Sequence, residues 1–360
     1  MSLLISPSFN EINLDSLVLR RLKDYPQNCS HFIDCITKAI SQDYDEITCA
    51  FAENLIRIDQ NGFDEYGYFS IGKDIWMICE ANSIEPLGYE VITRKRGGCI
   101  KIGPTFLNQS ARGLGYAKKA IEGLLKEYKN IGARKVYLTA PLNHESTAIL
   151  DFYRLKFKFE AILSNHYSAN SSERICGRFL VNSQLDIPVM PRVHLGQKAI
   201  TEIFIDDFCN ISNEEFYEFL QTNMNKSYND IDPSFIDGLI NSMSRNFETK
   251  YEEKGKKVFL ATQNSKLEGV SVATLKRGGI FKVAPFLLSD DFITNNNVNR
   301  ILFEIEKCAI EKDRRKITIF ISAIDIAIAN ILSINNYFCE GILREPYKVG
   351  IDMIVYSKFL

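Results

Sequence analysis

The chain has 360 residues, of which 46% are hydrophobic and 24% charged, with a net charge of −2. That length can bury more than one core, and the balanced charge offers no whole-chain field for nucleic acid or anionic lipid. Basic residues crowd together only at 94–98 and 311–316, with no basic or aromatic stripe continuing from either, so both runs read as solvated turns.

The N-terminal third reads as helical pieces. His31 to Ile40 has apolar residues at helical spacing, and Ala52 to Ile58 gives a second short helix before the polar turn DQNGFDEYG. The period then changes. IWMICEA (75–81) and LGYEVITR (87–94) are antiparallel strands, KRGG at 95–98 turns the chain, and CIKIGPTFL (99–107) is the next strand. A glycine turn leads into a helix from Gly115 to Lys129, with Ala117, Ile121, Leu124 and Tyr128 on one face. KVYLTAP (135–141) is a buried strand, 145–157 a helix, and 158–166 and 174–181 two closing strands. This order predicts an α/β (α+β) domain with helices packed on a mixed sheet. Nine cysteines form no CxxC pair and no Cys/His spacing suited to a metal, which points to reduced thiols in a cytoplasmic chain. The start lacks a signal-peptide pattern, and no window is apolar enough to cross a bilayer.

The proline-bearing stretch around 182–193 reads as a linker, and the pattern then returns. FYEFLQTN (216–223) and FIDGLINSM (235–243) are helical, and VFLATQ (258–263) and LEGVSVATL (267–275) are strands. KRGG follows again at 276–279, an offset of 276 − 95 = 181. At the same shift Gly103-Pro104 falls on Ala284-Pro285 and Lys135-Val136 on Lys316-Ile317; FKFEAIL (157–163) meets YFCEGIL (337–343) at 180. Matches in register over this length argue for an internal duplication, with domains at 1–185 and 195–360 joined by 186–194.

The segment IGPTFLNQSARGLGYAKK (102–119) is strand, turn and helix, with Gly113 and Gly115 in the turn. Glycine admits φ values closed to other residues and lets a ligand approach the backbone. The free first-turn N–H groups and the helix dipole form an anion site suited to phosphate. GKS/T is missing, so this is not a Walker A loop, and a dinucleotide fingerprint would need a third glycine and a later acidic residue.

In element order and in this loop the chain resembles the GNAT superfamily of acyl-CoA-dependent N-acyltransferases. The family loop R/Q-x-x-G-x-G/A is matched by Ser110-Ala111-Arg112-Gly113-Leu114-Gly115, with Ser at its first position, after Gly103-Pro104. A second family feature is matched by NHESTAILDFYRLKFKF through Asn143, Ala148, Tyr153 and Phe159, with Lys158 in place of a glycine. The resemblance implies two fused GNAT-like domains, each a mixed, mostly antiparallel sheet flanked by helices. It implies acetyl-CoA or another acyl-CoA as co-substrate and no metal.

The resemblance assigns the pyrophosphate to Gln109–Gly115 with Tyr116, the pantetheine to the backbone at Phe106 and Leu107, and the pantetheine side also to Asn143. Tyr153 is the implied acid for the leaving sulfur. The general base is open between Glu90 and Glu80, both on strands near the cleft; His144 reads as a helix-start surface residue. No Ser-His-Asp or Cys-His arrangement is visible, which favours direct transfer to a primary amine of a small molecule or peptide. A homodimer is compatible with these features; nucleic acid and membrane are not expected partners. Shifted by 181, Ser110, Gly113 and Gly115 become Asp291, Thr294 and Asn296, and Tyr153 becomes Ile334. The second domain therefore reads as degenerate, a scaffold without the phosphate cradle. The rival reading for the whole chain is a non-catalytic CoA-binding or protein-interaction module.

Overall fold

The computed structural model describes residues 4, 6–142, 154–181, 202–205, 211–243, 245, 247 and 251–360. The chain divides into two compact units, Met1–Glu160 with Ser168–Ser183, and Ala161–Tyr167 with Gln184–Leu360.

The first unit opens with a hairpin where the sequence reads as helical, β1 (Glu11–Leu14) and β2 (Leu17–Arg21). Helices α1 (Cys29–Ile40) and α2 (Cys49–Asn61) follow, then β3 (Ser70–Glu80), β4 (Pro86–Lys95) and β5 (Cys99–Leu107). Next come α3 (Tyr116–Asn130), β6 (Lys135–Pro141), β7 (Lys158–Ser168) and β8 (Ser171–Phe179). The sheet runs β1-β2-β3-β4-β5-β6-β8, antiparallel except for the parallel pair β5–β6. The helix expected over 145–157 falls almost wholly outside the described residues.

Both faces of this sheet are covered, which is why β3 and β4 read as near-continuous apolar runs. On one face Phe32, Ile36 and Leu55 of α1 and α2 pack with Ile75, Met77, Tyr89 and Val91. On the other, Ala120, Ile121, Leu124 and Tyr128 of α3 pack with Trp76, Ile92, Ile100 and Val136. A buried polar cluster ties these layers together. Arg21 contacts Asp59 at 2.6 Å and Asp74 at 3.0 Å, Arg94 contacts Asp74 at 3.0 Å, and Tyr128 Oη donates to Asp74 at 2.5 Å. Two guanidinium groups face two carboxylates, so the cluster is neutral and closely hydrogen-bonded, as buried charge requires. This corrects the reading of 94–98 as a solvated turn, because Arg94 is only 1% exposed. A basic run in sequence does not reveal a carboxylate on the neighbouring strand.

The second unit contains β9 (Glu202–Ile205), α4 (Asn213–Met224), α5 (Pro233–Met243), β10 (Lys257–Gln263), β11 (Lys266–Lys276) and β12 (Ile280–Leu288). These are followed by α6 (Asn295–Glu311), β13 (Lys316–Ser322), α7 (Ile326–Ile334), β14 (Phe338–Lys348) and β15 (Ile351–Phe359). Its sheet runs β9-β10-β11-β12-β13-β15-β14, again antiparallel apart from one parallel pair, β12–β13. The Ala161–Tyr167 part of β7 pairs with β14, Ala161 opposite Gly341.

That strand departs from the linear division at 185–195. Lys316 Nζ donates to Ser164 O at 2.6 Å, and Glu340 accepts from Ser164 N–H at 2.6 Å and from Lys316 Nζ at 2.8 Å. Both Lys316 and Glu340 side chains are almost fully buried, and burial lowers the Lys316 pKa against the pull of Glu340. Removing one member of such a pair strands the other charge, so Glu340→Ala is expected to cost about 3–5 kcal/mol, read as a lower urea midpoint at unchanged slope. The first unit carries an equivalent pair at shifts of 181 and 180, Lys135 Nζ to Glu160 at 2.7 Å.

Candidate functional site

β5 and β6 pair only from Cys99–Ile102 against Lys135–Leu138. Beyond that β6 keeps its pairing with β8 as far as Pro141 opposite Glu173, while β5 goes on with β4 to Leu107 opposite Gly88. The two strands part there, with Gly103 to Leu107 on one limb. Thr105 there is exposed, and Gly103, Pro104, Phe106 and Leu107 are half-buried. In the second unit β12 and β13 also pair over only four positions, yet Ala284, Phe286, Leu287 and Leu288 are all buried. There α4 packs on β11 and β12.

The loop after β5 brings Gln109, Ser110, Arg112, Gly113, Leu114 and Gly115 to the surface, with Ala111 buried beneath them as an anchor. Gly113 and Gly115 both have φ of +77°, a left-handed conformation that disfavours a Cβ, and a Cβ at either would meet nothing within 4 Å. Gly115 is the N-cap of α3 and supplies no side chain to the first turn. The first backbone bond of the helix is from Lys119 N–H to Gly115 O at 3.1 Å, so the N–H groups of Tyr116, Ala117 and Lys118 lie ahead of it and face outward. Arg112 Nε donates to Leu107 O at 3.1 Å, holding the loop to the end of β5.

The second unit starts its helix differently. Thr294, which stands at the place of Gly113, is the N-cap of α6 with φ −130°, and its side chain accepts from Asn297 N–H at 3.1 Å. Two residues that are loop in the first unit are helix here, and a first-turn donor is already used. Asp290 and Asp291 precede this cap.

Glu90 and Glu80 have opposite surroundings. Glu90 is fully buried, and Thr105 Oγ1 lies 2.8 and 2.9 Å from its two carboxylate oxygens. Burial pushes its pKa up to about 8, against the opposing hydrogen bonds from Thr105 and from the Val91 backbone. Thr105 thus links the buried Glu90 carboxyl to an exposed position on β5. Glu80 lies at the exposed end of β3, opposite Leu17, away from Glu90. Asn143, His144 and Tyr153 lie outside the described residues.

Thr105 drew no notice in the sequence, since only cross-strand register places it opposite Glu90. The absence of a Cys-His arrangement is corrected by α1. Cys35 Sγ sits 3.4 Å from His31 Nε2, and His31 Nδ1 sits 2.7 Å from Tyr89 Oη. The i,i+4 spacing of His31 and Cys35 was the available signal. Among the described residues, no group of three His, Cys, Asp or Glu is placed to hold a metal, and no helix is long and apolar enough to cross a membrane.

Residues 44–157 match the Acetyltransferase (GNAT) family. By that match the activity carried by the first unit is acyl-CoA-dependent N-acetyl transfer, with the acyl-CoA as co-substrate. No curated protein sequence matches the chain significantly. Among solved structures, a Chromobacterium violaceum ATCC 12472 chain described as a probable GNAT-family acetyltransferase is 17% identical with a TM-score of 0.40, covering 50% of this chain and 90% of its own. A Salmonella typhimurium acetyl transferase that modifies the N-terminal serine of 50S ribosomal subunit protein L7/L12 is 16% identical with a TM-score of 0.38, covering 48% and 99%. Ard1 from Thermoplasma volcanium is 16% identical with a TM-score of 0.37, covering 46% and 99%. Similarity at this level places no acceptor on this chain.

Proposed function

We propose that the chain is a tandem GNAT-like protein in which the first domain transfers an acetyl or other acyl group directly from CoA to a primary amine, with Glu90 as base. The observation that carries this reading is the junction of an uncapped glycine loop, a parted β5–β6 pair and a buried carboxylate reached through Thr105. The pyrophosphate lies on the Gly113–Ala117 backbone, where N–H groups and the helix dipole favour an anion. The pantetheine follows Phe106 and Leu107 toward Thr105. Amine attack on the thioester releases a proton, which passes to Thr105 Oγ1 as the Thr105 hydroxyl gives its own proton to Glu90. A carboxylate with a pKa near the working pH suits that task. Tyr153, outside the described residues, is the proposed donor to the departing sulfur.

The shared strand order, the shift of 181 residues between the two KRGG turns and the matching buried Lys–Glu pairs support a duplicated ancestry for the second unit. Thr294 capping its own helix and the buried β12 limb support a scaffold role there.

Release of free CoA thiol across a panel of amines tests the activity. Thr105→Val is expected to lower kcat about tenfold or more and to leave the KM for acetyl-CoA unchanged, with Thr105→Ser restoring turnover. Equal loss in both variants would remove Thr105 from the proton path. Tight acetyl-CoA binding without thiol release for any amine would favour the non-catalytic reading.

A further inference from the structure

His31, Cys35 and Tyr89 form a chain of polar atoms on the α1 face of the first unit, apart from Glu90 and the glycine loop. His31 is exposed and Cys35 is half-buried. Tyr89 is buried, and its ring packs edge-on against Phe32 with centroids 5.1 Å apart. Tyr89 Oη lies 2.7 Å from His31 Nδ1 and donates to Asn28 O at 3.5 Å. With the phenol proton directed to that carbonyl, Tyr89 Oη accepts from His31 Nδ1–H. This tautomer leaves Nε2 as an acceptor facing the Cys35 thiol at 3.4 Å. A nucleophile, a base and a group that orients the base are therefore in contact.

The charged and titratable neighbours are Asp34 and Lys38 on the same helix, acting on Cys35 in opposite senses. Cys29, Cys79 and Glu85 act on Tyr89. Burial raises the Cys35 thiol, so its resting form is S–H and it needs a base to react. Cys49 and Cys339 are the exposed cysteines among the described residues, and neither has a histidine contact.

The surroundings also select the electrophile. Cys35 lies in the middle of α1 (Cys29–Ile40), where backbone N–H groups are committed to helical bonds. The helix backbone around Cys35 therefore offers no free N–H to the tetrahedral intermediate of a thioester. Thiol–disulfide exchange needs no such donors, because charge is carried along the line of sulfurs.

We propose that Cys35, assisted by His31 and Tyr89, is a covalent modification site that forms mixed disulfides with small-molecule disulfides. The Cys35 proton passes to His31 Nε2 as Sγ attacks one sulfur of R–S–S–R. The S–S bond breaks, Cys35–S–S–R forms, and the departing thiolate takes the proton back from His31 as R–SH. No electrons are gained or lost beyond this exchange.

The test uses the intact chain with oxidised glutathione as the probe and peptide mass mapping of Cys35, Cys49 and Cys339 over time. At neutral pH Cys35 is expected to react about tenfold faster than Cys49, and its rate should fall less steeply than that of Cys49 as pH is lowered. His31→Gln should bring Cys35 to the Cys49 rate or below without changing Cys49 itself. Tyr89→Phe, which keeps the packed ring, should slow Cys35 alone. In urea the three cysteines should react alike, tying the difference to the folded arrangement. Reaction of Cys49 or Cys339 as fast as Cys35 in the native chain would overturn the proposal. So would an unchanged Cys35 rate in a His31→Gln variant whose circular dichroism and melting match the parent.

Discussion

Replacing Glu90 by glutamine is expected to reduce kcat/KM by about 10²–10⁴-fold while making the protein more stable in alkaline solution. The two effects share one cause. Burial holds the Glu90 carboxyl at a pKa of about 8 instead of its ordinary 4.5, so ionising it in place is unfavourable, and the ionised form is a strong base. With an acceptor amine whose own pKa lies below the scanned range, kcat/KM of the parent should rise with pH and level off above about 8. An ordinary carboxylate would level off about three and a half units lower. The variant should lose that rising limb along with its rate.

The stability effect follows by linkage. Below 4.5 Glu90 is protonated in both folded and unfolded chains and contributes no difference. Between 4.5 and about 8 the folded state retains the proton that the unfolded state has released, so stability falls as pH rises. Above about 8 the cost is complete, on the order of 3–5 kcal/mol. Glutamine carries no charge and can still hydrogen-bond Thr105. Glu90→Gln should therefore melt higher than the parent at about pH 9 and near the parent at about pH 4. A variant less stable at both values, with parental activity, would make Glu90 a packing residue and move the search for the base elsewhere.

The parts of the first unit that could be read in the sequence are those fixed by local chemistry. The glycine loop is legible because left-handed φ values at 113 and 115 call for glycine. The α3 face follows from its apolar spacing, and the partner strands β3 to β6 from their β-branched runs. The β1–β2 hairpin was missed because Glu11–Leu14 and Leu17–Arg21 are short and mixed in character, and β2 becomes a strand by pairing with β3. Arg94 looked solvated because its partner Asp74 is twenty residues back. The contrast between buried Glu90 and exposed Glu80 is a property of the assembled sheet. Thr105 required cross-strand register. His31 and Cys35 were legible as neighbours on a helix, but Tyr89, which orients the imidazole, is contributed by β4.

Gly115→Val is expected to raise the dissociation constant for acetyl-CoA about ten- to a hundredfold, with less effect on turnover at saturation. A β-branched residue at φ +77° is strained by about 1–2 kcal/mol, and its methyls would fill the open space beside the loop where the pyrophosphate is proposed to lie. Losing a hydrogen bond to a charged phosphate costs about 1.5–3 kcal/mol, which is the stated range in affinity. Gly115→Asn separates the two causes, because asparagine tolerates the left-handed region while still placing a side chain over the cradle. Affinity lost in Asn as well as Val assigns the effect to the cradle; affinity lost in Val alone assigns it to backbone strain. The second unit supplies the converse. Thr294→Gly should lower its stability by only about a few tenths of a kcal/mol through loss of the cap, without creating acetyl-CoA binding, because Asp290 and Asp291 still precede the helix and the β12 limb is still buried. Calorimetric titration of acetyl-CoA into the parent and these variants should give one site, weakened only by the changes at Gly115. A second site appearing in Thr294→Gly would mean that the cap alone had kept the second unit from binding.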